Sequence, residues 1–361
     1  MRKVALDLGA RKTAYCEVKN GVVVQRATVT SVDSLSSLLG PKEPPAVVAI
    51  EACREAWHVH DLLRSWGNDV VLVDTTRSRR LGIGQHGRKT DRIDAEVLAL
   101  ALERGGIPIA HVLSPHRREL RRWLGVRRAL IESRASLVTT CRGLAREQGV
   151  MLPKCKISLF AKRARQCAGQ ASAIIEPLLK QLDAVNPELL TVDTRLVELC
   201  KTEPVVELLM TAPGVGPTIA ASFVSVIDEA KRFRSPHQVE SYVGLVPSED
   251  SSGGKRRIGA ISKKGNPYLR SLLIEGAWVI LQRVDRSDPL RLWAEAVAER
   301  RGRKIAVIAL ARRLVGVLWA MWRDSKPYDR EALAAASSHG TRRLVRTLQS
   351  DAHAMEVSIV T

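Results

Sequence analysis

The chain has 361 residues, 45% of them hydrophobic, which suits two or three domains with ordinary cores and excludes wholesale disorder. It carries 57 Lys+Arg against 38 Asp+Glu, a formal net charge of +19, and so large a basic excess points to a polyanionic partner, DNA or RNA. Aromatic residues are only 4%, which argues against single strands stacked on aromatic platforms and for phosphate contacts that weaken with salt.

Cys16, Cys53, Cys141, Cys155, Cys167 and Cys200 are scattered and form no Cys-x-x-Cys pair, so neither a zinc ribbon nor a disulfide framework is expected. Cys53, His58 and His60 are the one compact Cys/His group, and their spacing fits no standard zinc pattern. The N-terminus lacks the apolar stretch of a signal peptide, and no apolar run approaches the ~18 residues of a membrane span. A soluble bacterial protein of the cytoplasm, associated with the nucleoid, is the expectation.

Residues 1–113 read as alternating β and α. Val4–Leu8, Thr13–Val18 and Val22–Thr28 are short strands, the last two joined by Asn20-Gly21, a strong hairpin signal. A short helix around Ser34–Leu39 follows, then a strand over Ala46–Ile50, a helix over Glu55–Trp66, a strand over Asp69–Val73 and a helix from about Thr90. A meander followed by α/β units is the order of a ribonuclease-H-like sheet, although other α/β folds begin similarly.

From Ser114 the period becomes helical. Leu120, Leu124, Ile131, Val138, Cys141 and Ala145 recur on one face. Ile175, Leu178, Leu182, Leu189, Leu196 and Leu199 follow in a second stretch that Pro177 and Pro187 are expected to punctuate. The two form an antiparallel, coiled-coil-like arm over 114–203. Segment 117–165 holds 14 Lys/Arg and 3 Asp/Glu, a net of +11, which marks Arg117, Arg118, Arg121, Arg122, Arg127 and Arg128 as a nucleic-acid surface rather than a merely solvated face.

Residues 204–330 form a mostly helical third unit. It opens on a helix, the turn Gly214-Val215-Gly216 and a second helix, similar to the helix-hairpin-helix whose glycines let backbone N–H groups approach phosphates; an ordinary tight interhelix turn suits the same residues. A polar loop over Ser248–Arg257 precedes apolar helices over Asn266–Val284 and Lys304–Trp322. The tail over 331–361 is low in apolar content beyond about Ala336, and mobility is expected there.

Four carboxylates stand out. Asp7 interrupts an apolar strand, where an ionised group is costly without a cation or hydrogen bonds. Glu51 closes the strand Val47–Ile50 in the same way. Asp91 and Asp94, three apart, share one helix face. Such a set suits one or two Mg²⁺ ions in phosphoryl transfer. Asp91 also fits a plain first-turn acidic residue with Thr90 as cap, and Asp94 fits pairing with Arg88 or Arg92.

Val4–Gly9, Ile50-Glu51-Ala52 and Arg88–Glu96 resemble the three acidic motifs of the DEDD transposases of the IS110 insertion-sequence group, relatives of the Piv-type pilin-gene invertases. Ala212–Pro217, Tyr242–Pro247, Ser251–Lys255, Ile261–Asn266, Leu269-Arg270 and Leu273 follow in that family's order, so the resemblance spans about residues 1–325. The family often has Thr-Gly and an aromatic after Glu-Ala; here Cys53, Arg54, Glu55, Ala56 and Trp57 follow, and Glu55 stands as a substitute for Glu51.

The resemblance implies a RuvC-like nuclease domain with Asp7, Glu51, Asp91 and Asp94 as an acidic tetrad binding Mg²⁺. It also implies a transposase domain with a nucleophilic serine at Ser251, or alternatively Ser252. Arg88, Lys89, Arg92, Lys255, Arg256, Arg257, Lys263 and Lys264 flank these motifs as nucleic-acid contacts. Further implied are a covalent phosphoserine intermediate, a noncoding bridge RNA that pairs with target and donor DNA, and a homo-oligomer, dimer or tetramer. The rivals are an invertase without a guide, a RuvC-like nuclease that hydrolyses with water, and a non-catalytic nucleic-acid scaffold, which leaves Asp7 unexplained.

Overall fold

The computed structural model describes residues 1–78, 91–249 and 258–335, and divides into two compact units, 1–112 and 113 onward. The expected tail beyond Ala336 lies outside the described residues.

The first unit is a mixed five-stranded sheet in the order β3-β2-β1-β4-β5. Strands β1 (Arg2–Leu8), β2 (Thr13–Lys19) and β3 (Val22–Val29) form the antiparallel meander, while β4 (Ala46–Glu51) and β5 (Asp69–Val73) run parallel to β1. Asn20 and Gly21 take φ of 55° and 75°, as a tight hairpin between right-twisted strands demands. Helices α1 (Val32–Leu39) and α2 (Ala56–Ser65) cover one face, where Val4, Leu6, Val48, Ile50, Leu63 and Leu72 are buried together. Between β5 and the next long helix lies the short α3 (Thr75–Ser78).

Helix α4 (Asp91–Glu103) covers the other face, burying Ala95, Leu98 and Ala99 against Ala5, Ala49, Cys16 and Val73. Alanines at the centre of that face let the helix lie close. Two more ties fix its position. The Glu103 carboxylate accepts the backbone N–H groups of Asn20 and Gly21 at 2.8 and 2.7 Å, and Arg26 pairs with Glu96 at 2.7 Å.

The second unit begins with the arm. Helices α5 (Pro115–Glu147) and α7 (Ser172–Lys201) run antiparallel, each about 45–50 Å long at 1.5 Å per residue. Leu120 and Leu124 meet Val192, Leu196 and Leu199 at one end, while Val138, Cys141 and Ala145 meet Ile175, Leu179 and Leu182 at the other. Between them α6 (Phe160–Cys167) lays Phe160, Ala161 and Ala164 onto the second cluster. The expected breaks at Pro177 and Pro187 are absent: α7 is continuous through both. Each proline faces solvent, and the carbonyls it cannot bond, at Ala173 and Asp183, belong to exposed residues that water can serve.

Helices α8 (Pro204–Met210), α9 (Pro217–Ile227), α10 (Pro236–Val243), α11 (Pro267–Arg283), α12 (Pro289–Arg301) and α13 (Arg303–Asp324) enclose the largest core, including Phe223, Leu269, Leu273, Ile280, Leu310, Leu314 and Trp319. Arg312-Arg313 interrupts the apolar run of α13, yet the helix as a whole is long and apolar enough to cross a membrane by length and composition. Its apolar residues are the middle of this core, and the Trp319 indole N–H donates to the Ala230 carbonyl at 2.9 Å. The segment expected as a polar loop, Ser248–Arg257, is flanked by a small antiparallel pair, β6 (Pro247–Glu249) and β7 (Ile258–Ile261), and its residues 250–257 lie outside the described residues. Strands of three and four residues, nearly all exposed, leave no alternation to read.

Candidate catalytic centre and nucleic-acid interface

Two of the acidic residues lie at one end of one sheet face and two on the helix that covers it. Leu6 and Ile50 are partners across the parallel β1 and β4, so Asp7 and Glu51 follow one step later on neighbouring strands. Side chains alternate along a strand, and Ala5 and Ala49 pack against α4; Asp7 and Glu51 therefore take the α4 face, at the carboxyl ends of two parallel strands. In open α/β sheets that edge is where ligands bind.

Helix α4 brings its own pair. Asp94 lies on its buried side with Ala95, Leu98 and Ala99, and is 6% exposed. Asp91 opens the helix, and its carboxylate oxygen lies 3.9 Å from where a Cβ on Gly9 would stand. That glycine has no room for a side chain: the same Cβ would be 2.6 Å from the Lys12 carbonyl oxygen, to which the Gly9 N–H already donates at 3.1 Å. The tight turn after β1 thus passes directly beside the start of α4.

Hard oxygen donors suit a divalent cation such as Mg²⁺. In this geometry no three Asp, Glu, His or Cys side chains among the described residues are grouped closely enough to hold a metal ion together. Glu55 lies just before α2, four residues beyond Glu51, and is exposed. Ser251, Ser252, Lys255, Arg256 and Arg257, and likewise Arg88 and Lys89, lie outside the described residues.

The serine motif is flanked by a strand pair. Glu249 and Ile258 are partners across β6 and β7, so residues 250–257 join two paired strand ends. The root of that hairpin is a backbone knot. Gly244, at φ +81°, and Gly265, at φ +83°, have no space for a Cβ, which would stand about 2 Å from the Lys264 and Tyr242 carbonyl oxygens respectively. Ser262 N–H donates to the Val246 carbonyl at 2.8 Å and Lys263 N–H to the Gly244 carbonyl at 3.1 Å. Arg270 donates to the carbonyls of Val243 and Lys264 at 3.1 and 2.8 Å. The motifs Tyr242–Pro247, Ile261–Asn266 and Leu269-Arg270 are thus one structural piece. Lys263 and Lys264 keep exposed side chains.

The turn between α8 and α9 treats its glycines differently. Gly214, at φ +72°, packs on α11, and a Cβ there would be 2.6 Å from the Gly276 carbonyl oxygen and 2.7 Å from Ile280. Gly216 has open space around it and precedes Pro217 at the start of α9.

The arginines expected on the arm also divide. Arg117 pairs with Glu203, lies 3.7 Å from Asp228 and sits over the Trp322 ring. Arg118 is 3% exposed, and burial pulls the Arg121 pKa down. Arg127 pairs with Asp193 at 2.6 Å, and Arg128 pairs with Glu132 at 2.7 Å and covers the Tyr268 ring. Arg122 and Arg92 are exposed. Sequence reasoning missed the buried partners, Asp228 above all, whose position past the end of α9 carries no periodic signal. The mid-helix Gly276 was a signal that could have been read as a close approach.

The first unit carries acidic residues on neighbouring parallel strands and at the start of α4, the second unit carries a long basic arm, and similarity to known families says what such a chain does. The IS110-type DEDD transposase family matches residues 4–147, and the transposase family of IS116, IS110 and IS902 matches residues 206–291. A putative transposase of Sinorhizobium fredii is 28% identical over 299 residues, 80% of this chain and 75% of the relative. The transposase of insertion sequence element IS1111A from Coxiella burnetii is 28% identical over 289 residues, 78% and 79% of the two chains. That of element IS1328 from Yersinia enterocolitica is 24% identical over 328 residues, 88% and 96% of the two chains. The protein is a transposase, an enzyme that cleaves and rejoins DNA. It belongs to the IS110/IS116 family of insertion-sequence transposases.

Proposed function

We propose that the first unit is a RuvC-like, ribonuclease-H-type nuclease domain and that the enzyme recombines DNA through a serine-linked intermediate. Asp7, Glu51, Asp91 and Asp94 are the carboxylates that would hold one or two divalent cations, Mg²⁺ in this reading. Bound there, such ions would offset the charge that develops on the phosphoryl oxygens. The observation that supports this most directly is the succession of Asp7 and Glu51 on neighbouring parallel strands, with Asp94 on the buried side of the helix that covers them.

The protein's own groups divide the work. The Ser251 hydroxyl, or that of Ser252, attacks the scissile phosphorus. A P–Oγ bond forms, the bond to one deoxyribose oxygen breaks, and that oxygen leaves as a hydroxyl after taking up a proton. A strand hydroxyl from the new partner then displaces the serine, which regains its proton. Lys255, Arg256 and Arg257 balance charge on the phosphoryl group. Lys263 and Lys264, and Arg88, Lys89 and Arg92 by the acidic residues, contact the DNA backbone. A bridge RNA supplies target choice by base pairing, and the enzyme works as a dimer or tetramer.

Wild-type protein incubated with element-end DNA should leave a covalent protein–DNA band on a denaturing gel. Ser251→Ala should abolish it and Ser252→Ala should not; persistence of the band in both variants sinks the serine assignment. Asp7→Asn and Asp94→Asn should remove cleavage while the thermal midpoint holds. Treatment with ribonuclease should stop recombination of the co-purified complex, and full activity afterwards would eliminate the guide.

A further inference from the structure

The net charge of the arm is not distributed as its sequence suggests. Near its base, the cations are largely committed within the protein: Arg117 to Glu203 and Asp228, Arg127 to Asp193, and Arg195 to Glu119 and Glu198. At the opposite end the balance reverses. Residues 142–167 contain seven Lys/Arg and one Asp/Glu. Arg142 lies over the Phe160 ring and Arg165 is paired with Glu176 and Asp183, which fastens α6 to α7. Arg146, Lys154, Lys156, Lys162 and Arg163 are exposed, and among the described residues none of the five is in an ion pair.

This end is also a module with a core of its own. Phe160, Ala161, Ala164, Ala168 and Ala171 close over Val138, Cys141, Ala145, Ile175 and Leu179. The cluster at the base, Leu120, Leu124, Val192, Leu196 and Leu199, is separate. Alanines on the inner side of α6 hold the helix flat, so Lys162 and Arg163 are presented outward from a fixed support. Arg146, the first of these five cations, lies about 19 residues of α5 beyond Arg127, roughly 30 Å along the helix.

Exposed cations on a rigid support, with almost no acidic residue among them, fit a partner of dense regular negative charge. We propose that the tip of the arm, through Arg146, Lys154, Lys156, Lys162 and Arg163, clamps the phosphodiester backbone of a nucleic-acid duplex about 30 Å from the base of the arm. A second copy of the tip does not fit, since two such surfaces repel. The proposal rests on the reading of the chain as a DNA recombinase and adds to it the surface that gives binding its salt dependence.

The test is the slope of log K against log salt for a 30-base-pair duplex of arbitrary sequence, measured by fluorescence anisotropy for the whole protein. Each phosphate contact contributes a slope of about 0.9 for duplex DNA. The variant K154Q/K156Q/K162Q/R163Q should lower the slope by about 3–4, with its thermal midpoint unchanged. A control carrying R300Q, R301Q, R303Q and K304Q, all exposed on α12 and α13, removes the same charge elsewhere and should lower it by less than 1. A change of less than 1 in the tip variant, or an equal change in the control, overturns the proposal and leaves the recombinase reading standing. Failure of the wild-type protein to bind any duplex would count against both. Running the series with DNA and with RNA duplexes tells which backbone the tip holds, because only the duplex it grips loses slope.

Discussion

The Asp228 carboxylate grips Ser114 twice, accepting its backbone N–H at 3.3 Å and its hydroxyl at 2.9 Å. Ser114 is the cap residue of α5, so the start of the arm is fastened to the end of α9 by one buried acid. Asp228 reaches this position in a γ-turn, with φ 64° and ψ −57° and Glu229 N–H donating to the Ile227 carbonyl at 2.8 Å. That conformation is costly for a residue with a side chain and persists only where its surroundings compensate. Asp228→Ala removes the compensation and leaves buried donors unmet. It should lower stability by about 2–4 kcal/mol, read as a lower denaturant midpoint, and Asp228→Asn should cost less than half of that.

The two glycines of the α8–α9 turn should respond oppositely. Gly214→Ala places a methyl group against the Gly276 carbonyl at positive φ and should destabilise by about 3 kcal/mol or more. Gly216→Ala has open space and should stay within about 0.5 kcal/mol. If Gly216 faces phosphate, its variant should weaken duplex binding without moving the denaturant midpoint. Equal midpoints for the two variants would contradict the packing role of Gly214.

The turn after β1 offers a separable effect on catalysis. Gly9→Ala must displace the Lys12 carbonyl, and that displacement is felt where Asp91 begins α4. Misplacement of reacting groups by about 1 Å can cost 100-fold in rate. DNA cleavage should fall at least tenfold, measured on element ends, while duplex affinity holds.

At the amino end of β1, Arg2 donates to both Glu17 oxygens at 3.0 and 2.7 Å and to the Tyr15 hydroxyl at 2.8 Å, and Tyr15 donates to Glu17 at 2.7 Å. The Arg2 hydrogen bond holds Glu17 below the ordinary carboxylate range, while burial and the Glu17 carboxylate push Tyr15 above the ordinary phenol range. The depressed acid stabilises the fold above its unfolded pKa, and that contribution disappears as pH falls through the folded value. The raised phenol stabilises below its unfolded pKa near 10, and that contribution declines as pH rises above it. Thermal midpoints should therefore drop at both extremes, and Tyr15→Phe should flatten only the alkaline limb.

The first unit was legible in outline because its strands alternate and its hairpin carries Asn20-Gly21, and Asp7 announced itself by interrupting an apolar run. What joins the acidic residues was not legible: the parallel register of β1 with β4 and the approach of α4 are long-range facts. The prolines of α7 misled because a missing N–H breaks a helix only where water cannot serve the freed carbonyl, and both prolines lie on the exposed side. The arm misled in a similar way. Its arginines were countable, but the acids that neutralise them at the base, Asp193, Glu203 and Asp228, lie far along the chain or on another helix.

The knot of Gly244, Gly265 and Arg270 has a consequence for the segment it anchors. Both ends of residues 250–257 emerge from a root made of backbone contacts too close for any side chain, so the anchoring points keep their spacing whatever the loop contains. A single exchange at Ser251 or Ser252 should therefore leave the mount as it is, whereas an added methyl group at either glycine would move both ends at once.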